Sequence, residues 1–84
     1  MNFVTKEEIC QKLGDFLINY RNLRNLRELE DKIIWFHENL ELYVELNNHS
    51  GDAVEYKNSV EKNILRIIVL NKESREKTLD DNNN

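Results

Sequence analysis

Leu46-Asn47-Asn48-His49-Ser50-Gly51-Asp52-Ala53-Val54 is the stretch whose reading decides the fold. Outward from Ser50 the large apolar residues fall at matching distances: Leu46 with Val54, Leu40 with Val60, Phe36 with Ile64, Ile33 with Ile67. Each flank also carries its inward positions at steps of three and four, Leu29, Ile33, Phe36, Leu40, Tyr43 before the turn and Ala53, Lys57, Val60, Ile64, Ile67 after it. That period gathers side chains on one side of a helix. Two mirrored helical stripes about a polar turn predict an antiparallel helical hairpin.

Composition agrees with helix. The chain has 84 residues, no Pro and two Gly, with 33% charged and 39% hydrophobic residues, which leaves little material for the turns of a β-rich fold. A chain this short makes one domain and buries only about 60 to 65% of its unfolded surface. We expect a single helical domain over 1–78 and a disordered polar tail over 79–84. Ile64-Leu65-Arg66-Ile67-Ile68-Val69-Leu70 is β-branched enough to resemble a strand locally. A lone strand would leave its backbone groups unpaired, so helix is expected there too.

Upstream of the hairpin, Thr5-Lys6-Glu7-Glu8 has the form of a capping box and starts a helix at Lys6. Its stripe is Ile9, Leu13, Phe16, Tyr20 and Leu23, supported by Cys10 and Leu17, and it stays in phase across Gly14. Between Leu23 and Leu29 the spacing becomes three and three, which turns the stripe by roughly 60° and demands local overwinding or a break. No Gly, Pro or Ser cluster marks a break, and Asn22 and Asn25 are weak candidates for a helix end. The sequence therefore predicts a long first helix over 6–47, allowing a kink near 22–25, then Asp52 as the cap of a second helix over 53–77. A fold-back near 22–25, giving a monomeric three-helix bundle, is the alternative.

In the continuous form one hairpin cannot cover all the apolar surface. Trp35, Leu42 and Leu46 lie roughly 100 to 140° round from the Phe36 stripe, Leu65 and Val69 are similarly displaced from Ile64, and Phe16 and Tyr20 project beyond the second helix. These seven residues are the candidate interaction surface. A two-fold homodimer would cover them, so a dimeric helical bundle is the expected assembly.

Chemistry is sparse. His37 and His49 are the two histidines and Cys10 the one cysteine, and no spacing among them or the carboxylates matches a zinc or two-metal helical site. Cys10 is expected as a small buried thiol rather than a nucleophile. We expect no catalytic, cofactor-binding or metal residues and no enzyme activity. Arg21, Arg24 and Arg27, three apart, could present a stripe to an anion or a phosphate backbone. The hairpin register instead places Arg24 opposite Glu76 and Arg27 opposite Glu73, as surface ion pairs. The net charge of −4 further disfavours nucleic acid. Lys6 to Gly14 resembles the first half of a helix-turn-helix unit, but Phe16-Leu17-Ile18 then occupy positions that such a unit keeps polar.

A single cysteine needs no oxidising compartment, and the longest apolar run, Ile67 to Leu70, is too short to cross a membrane. A cytoplasmic protein is expected, without membrane contact. The many Asn, Lys and Ile residues hint at AT-rich coding, a virus or mobile element among the options. The functional expectation is an adaptor, inhibitor or regulator that binds an unidentified protein partner, with a nucleic-acid-binding regulator as the alternative.

Overall fold

The computed structural model describes residues 4–23 and 25–82, with side chains to Lys77. It contains α1 (Lys6–Asn19), a 3-10 turn over Tyr20–Asn22, α2 (Leu26–Leu46) and α3 (Gly51–Asn82), and among the described residues no strand. The all-helical expectation holds, and the chain takes the three-helix form. α1 lies beside α3 in the same direction, since Lys6 meets Tyr56 at one end and Tyr20 meets Asn71 at the other. α2 runs against both. The bundle measures 54 × 24 × 16 Å.

The hairpin register is the one the sequence predicts. Phe36, Leu40, Val60, Ile64 and Ile67 are buried along the seam, Tyr43 packs on Tyr56 with ring centroids 5.3 Å apart, and Lys57 reaches Glu41 at 2.7 Å. Near the turn Ala53 is buried as expected, but the expectation needs correcting for Leu46 and Val54, which are exposed, and for Val44, which is buried. Val44 continues the seam one turn after Leu40, whereas Leu46 lies round the helix from it.

The turn itself is a Schellman closure. The amide of His49 donates to the Val44 carbonyl at 2.9 Å and that of Asn48 to the Glu45 carbonyl at 3.0 Å, the paired bonds that satisfy a helix C-terminus. Asn48 and His49 hold left-handed φ values of 56° and 54°; Gly51 does not need one. Gly51 instead opens α3, two residues ahead of the expected start, because Ser50 and not Asp52 is the cap: its Oγ accepts from the Ala53 amide at 3.2 Å.

The continuous first helix is the larger correction. α1 starts as predicted, with Thr5 Oγ1 accepting from the Glu8 amide at 3.1 Å, and passes through Gly14 unbroken. It then tightens into the 3-10 turn and stops: Leu23 and Asn25 are both extended. Asn25 is not a helix end but the N-cap of α2, its Oδ1 accepting from the Arg27 amide at 2.8 Å. The one-step loss in apolar spacing is thus relieved by a break.

A residue on α3 seals that break. Asn71 is 1% exposed, and its Nδ2 donates to the Tyr20 carbonyl at 2.7 Å and the Leu23 carbonyl at 3.1 Å. Its Oδ1 accepts from Arg75 Nε at 2.8 Å. Without Asn71 the Leu23 carbonyl would be left unpaired at a buried site, while the Tyr20 carbonyl would keep the Leu23 amide at 3.3 Å. With the break closed, α1 folds onto the hairpin and Phe16 stacks on Phe36 at 5.8 Å. α3 continues to Asn82, past the expected end at 77 and through the backbone of 79–82 in the stretch expected as a polar tail; the side chains from Thr78 onward and residues 83–84 lie outside the described residues.

Candidate interaction surface

Fold-back of α1 redistributes the seven candidate surface residues. Phe16 leaves the surface altogether: it is buried in the core, because the groove between α2 and α3 that covers it belongs to its own chain. Tyr20 is half-buried against the core, with Arg21 above its ring at 5.6 Å and donating through Nε to its hydroxyl at 3.2 Å. Trp35 and Leu42 are also half-buried and pack on the core cluster. Leu46, Leu65 and Val69 remain in solvent, at 48, 62 and 54% exposure.

Leu65 and Val69 stand one helical turn apart on α3, so their side chains adjoin on its outer side. Further exposed aliphatics are Leu17 and Ile18 on α1 and Leu26 and Ile34 on α2. The sequence reading missed Ile18 and Ile34 as surface residues, although each lies off its helix's stripe; Leu26, read into the stripe between Leu23 and Leu29, is exposed at the start of α2. Leu17 and Cys10, read as supporting the stripe of α1, are exposed; one residue beyond Phe16 and Ile9 respectively, each is turned about 100° away.

A groove of about 460 Å³ separates α1 from α2, lined by Lys12, Asp15, Asn19, Glu28, Asp31, Lys32 and Trp35 over a floor of Phe16, Leu23 and Phe36. Trp35 forms one wall, edge-on to Phe36 at 5.2 Å, and Lys12 Nζ lies 5.6 Å above its ring, a favourable cation–π placement. Acidic Asp15, Glu28 and Asp31 and basic Lys12 and Lys32 share its lining. Such a mixed lining offers no single charge to an ionic ligand.

Arg21 and Arg27 do not share one helix. Arg21 sits in the 3-10 turn and Arg27 in the first turn of α2, so the break separates them, and Arg24 lies outside the described residues. Ion pairs among the described residues join Lys57 to Glu41 and Glu61 and Lys72 to Glu76; the expected Arg27–Glu73 pair is not among them. Across the hairpin, the hydrogen bond from Lys57 and then its charge hold the Glu41 carboxyl below its usual range. The same bond raises the Lys57 ammonium. Burial, with smaller contributions from Cys10, Tyr43 and Glu7, pushes the Tyr56 phenol up, and its hydroxyl donates to the Lys6 carbonyl at 3.4 Å.

Metal chemistry finds no framework: among the described residues no three His, Cys, Asp or Glu side chains converge. Nor is any helix among them long and apolar enough to cross a membrane. The chain matches no protein-family model, no curated protein and no solved structure.

Proposed function

We propose that this chain is a small non-catalytic interaction protein, an adaptor, inhibitor or regulator that binds through aliphatic side chains left outside its core, with a second copy as its first partner. The observation that carries the reading is the Leu65 and Val69 pair. Large aliphatics scattered singly on a surface are ordinary, whereas adjoining ones on a helix face give a partner something to desolvate. Leu46 is a separate exposed aliphatic at the turn end of α2, and the half-buried Trp35 supplies an aromatic of the kind that dominates binding energy in interfaces. Two-fold pairing presents each such face to its own copy.

Multi-angle light scattering at a few micromolar tests the proposal. A mass near twice 10.1 kDa is expected for the wild type, and a mass near 10.1 kDa for Leu65→Asp/Val69→Asp, with an unchanged circular dichroism spectrum and melt. A wild type that stays at the lower mass removes the second copy as partner. If duplex DNA instead binds with an affinity that collapses between about 50 and 200 mM salt, and Arg21, Arg24 and Arg27 are required, the alternative of a nucleic-acid-binding regulator takes its place.

A further inference from the structure

We infer that α1 is an exchangeable element: its seat on α2 and α3 accepts the α1 of a second copy, the segment between Tyr20 and Leu26 straightening so that α1 and α2 merge into one helix of about 60 Å. This dimer is independent of the outer face of α3. It uses the contacts already present in the monomer, made between chains instead of within one.

The contacts that hold α1 are portable. Phe16 on Phe36, Lys12 over Trp35 and Tyr56 on the Lys6 carbonyl all join α1 to the hairpin, and none depends on which chain supplies α1. Another copy carries the same stripe in the same register, which is what makes it the fitting occupant.

The junction is built to take either form. From Tyr20 to Leu29 there is no Gly or Pro, and Arg24, Leu26, Arg27, Glu28 and Leu29 all favour helix. In a merged helix the Tyr20 and Leu23 carbonyls would accept from the amides four residues on. In the folded-back chain Asn71 donates to both, and Asn25 accepts from the Arg27 amide, which a merged helix would use for Leu23. The same backbone groups are satisfied in both forms by different donors and acceptors. Asn25 and Asn71 are therefore the two side chains that weight the folded-back form, and the three-three spacing of Leu23, Leu26 and Leu29 is the overwinding that opposes the merged one.

Leu26→Pro provides a lock. Proline is favoured at the first position of a helix and requires an extended residue before it; Asn25 already has φ −93° and ψ 119°. The same proline inside a merged helix would clash with the carbonyl four residues back. The experiment refolds each full-length variant at high concentration in the Leu65→Asp/Val69→Asp background, where pairing through the outer face of α3 no longer adds to the mass. It measures mass and records isotope-filtered NOEs between Phe16 and Phe36 rings in mixed-label samples. Expected are an increase of about thirtyfold in the dimerisation constant for Asn25→Ala, the effect of losing one cap in each of two chains, a further increase for Asn71→Leu, and ring contacts between chains. Leu26→Pro should give no exchanged dimer. Should Asn71→Leu fail to fold, Asn25→Ala, at an exposed position, decides. The inference is overturned if Asn25→Ala forms no more dimer than the background chain, if Leu26→Pro dimerises equally, or if the ring contacts stay within one chain.

Discussion

Replacing Asn71 by Ala tests the account of the helix break quantitatively. The Leu23 carbonyl loses its hydrogen bond at a buried site, which costs about 1 to 3 kcal/mol for an unsatisfied acceptor. The Tyr20 carbonyl keeps the Leu23 amide at 3.3 Å, so its loss is nearer the net value of one bond, about 0.5 to 1.5 kcal/mol. Ala is the better helix former and returns up to about 0.7 kcal/mol. The balance is a destabilisation of about 1 to 4 kcal/mol, and a central loss of about 2 kcal/mol lowers Tm by about 8 to 16 °C in a domain of this size. Urea and thermal denaturation followed by circular dichroism at a few micromolar measure it. Asn63→Ala is the control, because Asn63 Nδ2 donates to the Ser59 carbonyl at 3.0 Å within its own exposed helix turn; no loss of stability is expected there. If Asn71→Ala melts within about 2 °C of wild type, less than a 0.5 kcal/mol change, Asn71 does not hold the break.

Three further outcomes follow from local geometry. Gly14→Ala should stabilise by about 0.5 to 1 kcal/mol in the same denaturation assay, since an added Cβ meets nothing within 4 Å; destabilisation would mean that α1 is not continuous there. Asn48→Gly should also stabilise, by up to about 1 kcal/mol, because Asn48 holds the left-handed position of the Schellman closure; a loss of stability would contradict that conformation. For the Glu41–Lys57 pair, Glu41 is depressed when folded, so its contribution is present above the ordinary carboxylate range and fades as pH falls through the lowered value. Lys57 is raised, so its contribution is present below the ordinary lysine range and fades as pH climbs through the raised value. An NMR titration should find the Glu41 midpoint moving upward in Lys57→Met; an unmoved midpoint would place the pair outside contact.

The hairpin was legible in the sequence because its register is set by many large side chains acting together: displacing Phe36 from Ile64 would misplace Leu40 and Ile67 as well. The turn was less so. Glycine is the expected left-handed residue at a helix end, yet Asn48 and His49 take that geometry while Gly51 enters α3. The break between α1 and α2 was hidden for a different reason. Its signals were an Asn25-Leu26-Arg27-Glu28 run of capping form and a polar Asn71 standing where the Val60, Ile64, Ile67 stripe calls for an apolar residue. Each is weak alone, and they reinforce one another only when α3 is laid beside the end of α1. The candidate surface inherited that error at Phe16, which a continuous helix exposes and a folded one buries; Leu65 and Val69, whose exposure depends on α3 alone, were placed as the structure has them.

The Asn71 clamp also bears on the order in which the molecule assembles. Its bonds to Tyr20 and Leu23 close loops of 51 and 48 residues, whereas Lys57 and Glu41 are separated by 16. Contacts near in sequence form before distant ones, since the entropy of closing a long loop must be met first. The α2–α3 hairpin should therefore nucleate folding and α1 should dock late. Substitutions at Phe36 or Ile64 would then slow folding, those at Ile9 would chiefly speed unfolding, and the amides of α1 would be the first of the helical amides to exchange with solvent.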